Sequence, residues 1–123
     1  MTPAQCDIQL YRGDYFEMTL RLRSGTIDGL TYTPGPYLDL EGWTPKAEIR
    51  ATVDATTALT SFVTTLLDQA DFPGGVHLSL PSASSATLAV PSAVWDVQLT
   101  DPAGRVHTYL RGAVAITKDV TRT

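Results

Sequence analysis

The sequence is poor in the groups that most binding and catalytic chemistries rely on. It contains one cysteine, Cys6, so an internal disulfide is excluded. Its nine basic residues, only two of them lysines (Lys46 and Lys118), are scattered, and the net charge is −4. With no basic run to follow a phosphate backbone, the composition argues against a nucleic-acid partner. Apolar runs extend over a few residues only. A bilayer-spanning helix needs about 20, so membrane insertion is not expected. Met1 to Asp7 is polar, with no basic start and no apolar stretch, which is not the form of a secretory signal. Synthesis and folding in a cytoplasm are therefore expected, in keeping with the unpaired Cys6.

The usual chemical constellations are equally scarce. There is no Cys-x-x-Cys, no His-x-x-x-His and no EF-hand loop, so no metal is expected. There is no Gly-x-Ser-x-Gly elbow. Gly74-Gly75 is not followed by the helix and lysine that a phosphate loop requires. Of the two histidines, His77 falls on the outward side of its segment and His107 just past a turn; both are read as solvent-facing, without a chemical role. Carboxylates are spread over turn positions (Asp14, Asp28, Asp54, Asp71, Asp101), where aspartate satisfies local backbone groups. The reading is of a protein that is not an enzyme and takes no cofactor.

What the sequence does contain is alternation. Its 123 residues suit one domain, 1–123, without internal repeats. A chain of this size buries roughly two-thirds of the surface it exposes when unfolded. From Phe16 to Arg23, Phe16, Met18, Leu20 and Leu22 share one face, and Glu17, Thr19, Arg21 and Arg23 the other. A half-buried strand separates residues in this way and a helix does not. The same period places Ala47, Ile49, Ala51 and Val53 inward, then Val76, Leu78 and Leu80, then Trp95, Val97 and Leu99. It places Val106, Leu110, Val114 and Ile116 on one face of the longest segment. Ile8 and Leu10 give a short first strand. Leu59 to Leu67 is strand-like with an ambiguous phase, for which a bulge near Thr64 would account. Of these residues Leu20, Ile49, Leu78, Trp95, Val97 and Leu99 are expected to be buried on facing sheets.

The punctuation agrees. Asp101-Pro102-Ala103-Gly104 is the signature of a type I turn. Arg12-Gly13-Asp14, although it has the integrin-ligand tripeptide, is read as a plain turn, and Pro73-Gly74-Gly75 opens a strand. Ser82 to Leu88 lacks alternation and suits one helical turn, with Ser82 or Ser84 as cap and Pro91 as stop. Seven short strands give the expected class: an all-β, immunoglobulin-like antiparallel β-sandwich, with a small barrel as second choice. Ser24 to Thr44 interrupts the rhythm as a long loop or extra hairpin. It holds Tyr32, Tyr37 and Trp43, either packed on the core or forming a protein interface.

Three stretches carry a resemblance: Asp7 to Asp14, Asp39-Leu40-Glu41-Gly42-Trp43-Thr44 through Ile49-Arg50, and Trp95-Asp96-Val97-Gln98-Leu99-Thr100-Asp101-Pro102-Ala103-Gly104 with Tyr109-Leu110-Arg111-Gly112 and the ending Ile116 to Arg122. Together they resemble the N-terminal-type domain of phage baseplate upper proteins and related tail-fibre adaptors. The resemblance implies an immunoglobulin-like domain that anchors receptor-binding parts to a tail. It implies a virion structural protein of the tail or baseplate, other tail proteins as partners, and a homo-oligomer within the assembly. The segment from Ser24 to Tyr37 is longer than that family's usual link. The alternative is a non-catalytic sugar- or ligand-binding module stacking its ligand on Tyr32, Tyr37 and Trp43; a small hydrolase ranks third.

Overall fold

The computed structural model describes residues 4–28 and 31–118, the side chains of residues 24–34 excepted. Eleven strands and one short helix follow in the order β1 (Ala4–Gln5), β2 (Ile8–Tyr11), β3 (Phe16–Arg21), β4 (Arg23–Asp28), β5 (Thr31–Tyr37), β6 (Thr44–Arg50), β7 (Thr60–Ser61), β8 (Val63–Leu66), β9 (Gly75–Leu80), α1 (Ser82–Ser85), β10 (Ser92–Thr100) and β11 (Val106–Thr117). The chain is all-β. Its strands form a larger sheet ordered β1-β11-β10-β6-β7, with β2 also on β11, a three-stranded sheet ordered β3-β9-β8, and a separate β4–β5 hairpin. Pairing is antiparallel except for β1 and β2, which lie parallel to β11. A purely antiparallel arrangement is corrected to that extent: the chain enters alongside its own last strand.

Alternation places the core. In β9, Val76, Leu78 and Leu80 are fully buried, and in β10 Trp95, Val97 and Leu99 are, with Ile49 opposite Trp95 on β6. These residues, with Leu10, Leu22, Leu40, Phe62, Leu88, Val114 and Ile116, form one hydrophobic cluster drawn from both sheets. Each such side chain contributes roughly 1.5–3 kcal/mol by leaving water. Leu20 is only half-buried, because β3 is the outer strand of its sheet and has one neighbour, β9.

Four expectations need correction. First, β6 ends at Arg50, so Ala51 and Val53 lie in the turn beyond it, with Val53 71% exposed. Second, no bulge near Thr64 explains the ambiguous phase of Leu59 to Leu67. That segment pairs with β6 through β7 and then with β9 through β8, changing sheets at the buried Phe62. Each half obeys its own alternation. Third, Val106 does not share the face of Val114. The β10–β11 register shifts between Val97 and Gln98, which face Leu110 and Thr108, leaving Tyr109 as an extra residue. One extra residue reverses every side chain beyond it. Fourth, α1 begins after Pro81 with no side-chain cap, and it ends at Ser85, well before Pro91.

Ser85 serves another purpose. Its hydroxyl accepts from the Gly13 N–H at 2.8 Å and donates to the Asp14 carbonyl at 2.8 Å. This pins the Arg12-Gly13-Asp14 turn, in which Gly13 takes φ +93°. The tripeptide is structural here, with the Nε of Arg12 buried in the turn.

Candidate functional site

A single glutamine joins the loop after β5 to the loop before β9. Gln69, 8% exposed, accepts through Oε1 from the N–H groups of Leu40 (3.0 Å) and Gly74 (2.9 Å). Its Nε2 donates to the carbonyls of Leu67 (2.8 Å) and Gly75 (3.2 Å). Gly74 in turn accepts from Leu22 N–H at 2.8 Å, and Leu22 accepts from Leu38 N–H at 3.0 Å. Gly74 has φ +82°, and a Cβ there would meet the Leu22 carbonyl oxygen at 2.1 Å, so only glycine fits. The segment entering β4 and the one leaving β5 are thereby fastened to the loop before β9.

On this frame the side chains of β3, β4 and β5 form a stack. The guanidinium carbon of Arg21 lies 3.8 Å from the centre of the Tyr37 ring and 5.7 Å from that of Phe72; that of Arg23 lies 4.8 Å from Tyr37. Arg21 Nε donates to the Pro73 carbonyl at 3.1 Å and Arg23 Nε to the Gly35 carbonyl at 2.9 Å. Tyr37 and Phe72 are 38% and 53% exposed. Arginine over an aromatic ring is attracted by the ring's negative face. Of the three aromatics expected to form an interface, Tyr37 thus stands at the surface. Tyr32 sits opposite Ile27 in the β4–β5 ladder, and its side chain lies outside the described residues.

Trp43 lies elsewhere. It packs half-buried against the core and against the ring of His107, with centroids 5.5 Å apart; His107 in turn lies 6.1 Å from Tyr109. His107 is therefore not simply solvent-facing. Its Nε2 is 3.2 Å from Oδ2 of Asp101, which also accepts from Arg105 Nε at 2.8 Å. Oδ1 of Asp101 accepts from the N–H groups of Ala103 (3.0 Å) and Arg105 (2.9 Å), completing the expected turn with Gly104 at φ +85°. The backbone donor of Arg105 foremost, then His107 and the Arg105 side chain, hold the Asp101 carboxyl down at about 2. This cluster fixes the turn and orders the Trp43 end of the domain. His77 pairs with Glu17 at 3.1 Å across the outer face of β3 and β9.

A concave surface, about 630 Å³ in volume, lies over the outer face of the larger sheet, between Lys46, Glu48, Arg50, Asp96 and Arg111. Glu48, Asp96 and Arg111 face one another across adjacent strands. Burial, then the neighbouring Glu48, raises the Asp96 carboxyl above the ordinary range, against the pull of Arg50 and Arg111. Glu48 bonds Arg50 at 2.9 Å. Among the described residues no three His, Cys, Asp or Glu side chains gather as a metal would require.

The sequence marked the Asp101 turn, and it singled out Tyr37 without its neighbours Arg21, Arg23 and Phe72 or the Gln69 clamp. The arginines were read as the solvent face of a strand, and nothing local distinguishes a clamp at position 69. No protein-family model matches the chain, and no curated protein does.

Proposed function

We propose that the protein is a virion structural component of a phage tail or baseplate, an adaptor that acts through protein–protein contacts in several copies. The observation that carries this reading is the Tyr37–Arg21–Arg23–Phe72 surface. Tyrosine and arginine are the residues enriched where protein contacts concentrate their energy, and here they are prearranged on a frame held by Gln69. Prearrangement reduces the entropy that association costs. Catalysis has no comparable support.

The strand order favours an immunoglobulin-like sandwich over a barrel. The first strand runs parallel to the last, the next neighbours are β10 and β6, and β3-β9-β8 form the other sheet. The stretches that resemble baseplate adaptors also meet in space. Asp39 to Arg50 supplies β6 and Trp95 to Thr100 supplies β10, adjacent strands, while Asp7 to Asp14 supplies β2 beside β11. The sugar-stacking alternative is weaker. Arg21 already covers a face of Tyr37, and Trp43 is packed against His107 rather than beside Tyr37.

The test is compositional. Tails purified from the phage that encodes the chain should contain it in several copies per particle, by quantitative mass spectrometry. Its absence from particles, with the protein free in the lysate, would sink the proposal.

A further inference from the structure

We infer that the paired guanidiniums of Arg21 and Arg23 are a receptor for carboxylates, and that the partner bound there is an extended, acidic segment of another protein. The inference rests on the contact surface proposed above and names the chemistry of its partner.

An arginine carries five N–H donors in a planar fork. Arg21 and Arg23 each use Nε on a main-chain carbonyl, of Pro73 and Gly35. Among the residues whose side chains are described, no carboxylate lies within ion-pair distance of Arg21 or Arg23, whereas Arg50 has Glu48 and Arg105 has Asp101. Among the residues whose side chains are described, no hydrogen bond engages their outer nitrogens, and each guanidinium rests against the Tyr37 ring. Both guanidiniums lie against the same ring, so the two forks are held close together. A planar fork held this way suits the two oxygens of a carboxylate, and a charge-assisted bidentate contact is among the stronger polar contacts available. Phe72 and Tyr37 flank the forks with exposed apolar surface for the segment's neighbouring residues.

The surroundings favour carboxylates over a nucleic-acid backbone. Polyphosphate binding needs many cations along a track, and here there are two, in a chain of net charge −4. Asp68 and Asp71 are exposed in the loop that carries Phe72. They oppose a continuous polyanion but leave room for one or two spaced acidic side chains.

The whole protein, isotopically labelled, should be titrated at low salt with a short peptide alternating Glu and Gly, its Gln–Gly counterpart, and a short oligothymidylate. The Glu peptide should shift the Arg21 and Arg23 Nε–H signals and the Tyr37 and Phe72 ring signals. The Gln peptide should bind about tenfold more weakly or worse. Arg21→Gln with Arg23→Gln, verified as folded, should weaken the Glu peptide by a similar factor. Arg21→Lys with Arg23→Lys, which keeps charge but not the fork, should fall between. Equal response to the Glu and Gln peptides, no response to either, or tighter binding of oligothymidylate overturns the inference. Assembly separates it from the reading beneath it. If Tyr37→Ala with Phe72→Ala blocks incorporation into particles while the double Gln variant assembles normally, the contact surface stands and the acidic partner falls. If both variants assemble normally, both fall.

Discussion

The indole N–H of Trp95 donates to the main-chain carbonyl of Cys6 at 2.8 Å. That bond ties the middle of the larger sheet to the break between β1 and β2. It passes Gly112, which pairs with Trp95 in register, and a Cβ on Gly112 would lie 1.9 Å from the Cys6 oxygen. The Cys6 N–H, meanwhile, donates to Arg111 at 2.8 Å, and Asp7 accepts from the Ala113 N–H at 2.9 Å. Edge strand, glycine and tryptophan form one joint.

Substitutions at this joint should be costly in a defined order. Trp95→Ala should cost about 3–5 kcal/mol, the usual loss for a buried large aromatic. Trp95→Phe keeps most of the bulk but leaves the Cys6 carbonyl without its donor, for about 1–3 kcal/mol. Gly112→Ala should exceed Trp95→Phe, because backbone must move, and it should free β1 selectively. Urea unfolding gives the order, and amide exchange at Cys6 and Ala113 gives the selectivity. A loss below about 1 kcal/mol for Trp95→Ala would place the ring at the surface.

Gln69 offers a second test. Gln69→Ala leaves the Leu40 and Gly74 N–H groups unpartnered in a buried site. Each unmet group costs about 1–3 kcal/mol, so the loop frame should loosen along with global stability. The expected signature is faster amide exchange at Leu40 and Gly74, together with sharper, averaged ring signals from Tyr37 and Phe72. Unchanged exchange at both amides would show that Gln69 is not the clamp.

How much of this was legible in the sequence follows from the range of the interactions. Alternation is local, so Phe16 to Leu22, Val76 to Leu80 and Trp95 to Leu99 could be assigned by inspection. Asp101 was also legible, since its turn partners lie within four residues along the chain. The bulge at Tyr109 was not: Val106 and Val114 keep an even spacing, and only the facing strand shows that the register slips. The sheet change at Phe62 has no local mark either, because Leu59 to Leu67 runs on without a glycine or proline to punctuate it. Gln69 is bonded to Leu40 across 29 positions, and no pattern in its own neighbourhood encodes that. The hairpin of β4 and β5 was one of two open readings, and its pairing settles that part.

The Asp101 carboxylate links the turn to pH. Its carboxyl is held at about 2 in the folded protein, against an ordinary value of about 3.9 when unfolded. Folding therefore favours the ionised form. The stabilisation is complete above about pH 4 and is lost as pH falls through about 2, where the folded carboxyl also takes up its proton. Asp101→Asn has nearly the same shape but lacks the charge that Arg105 and His107 approach. Wild type should accordingly be the more stable at neutral pH, and its advantage should shrink between about pH 4 and pH 2. Urea midpoints of both proteins across that range measure the difference directly. Because Asp101 sets His107 against Trp43, the tryptophan fluorescence of the folded protein should change over the lower part of the same window in wild type and stay flat in the variant. A stability difference that stays constant down to pH 2 would mean that the carboxylate charge does not hold this turn together.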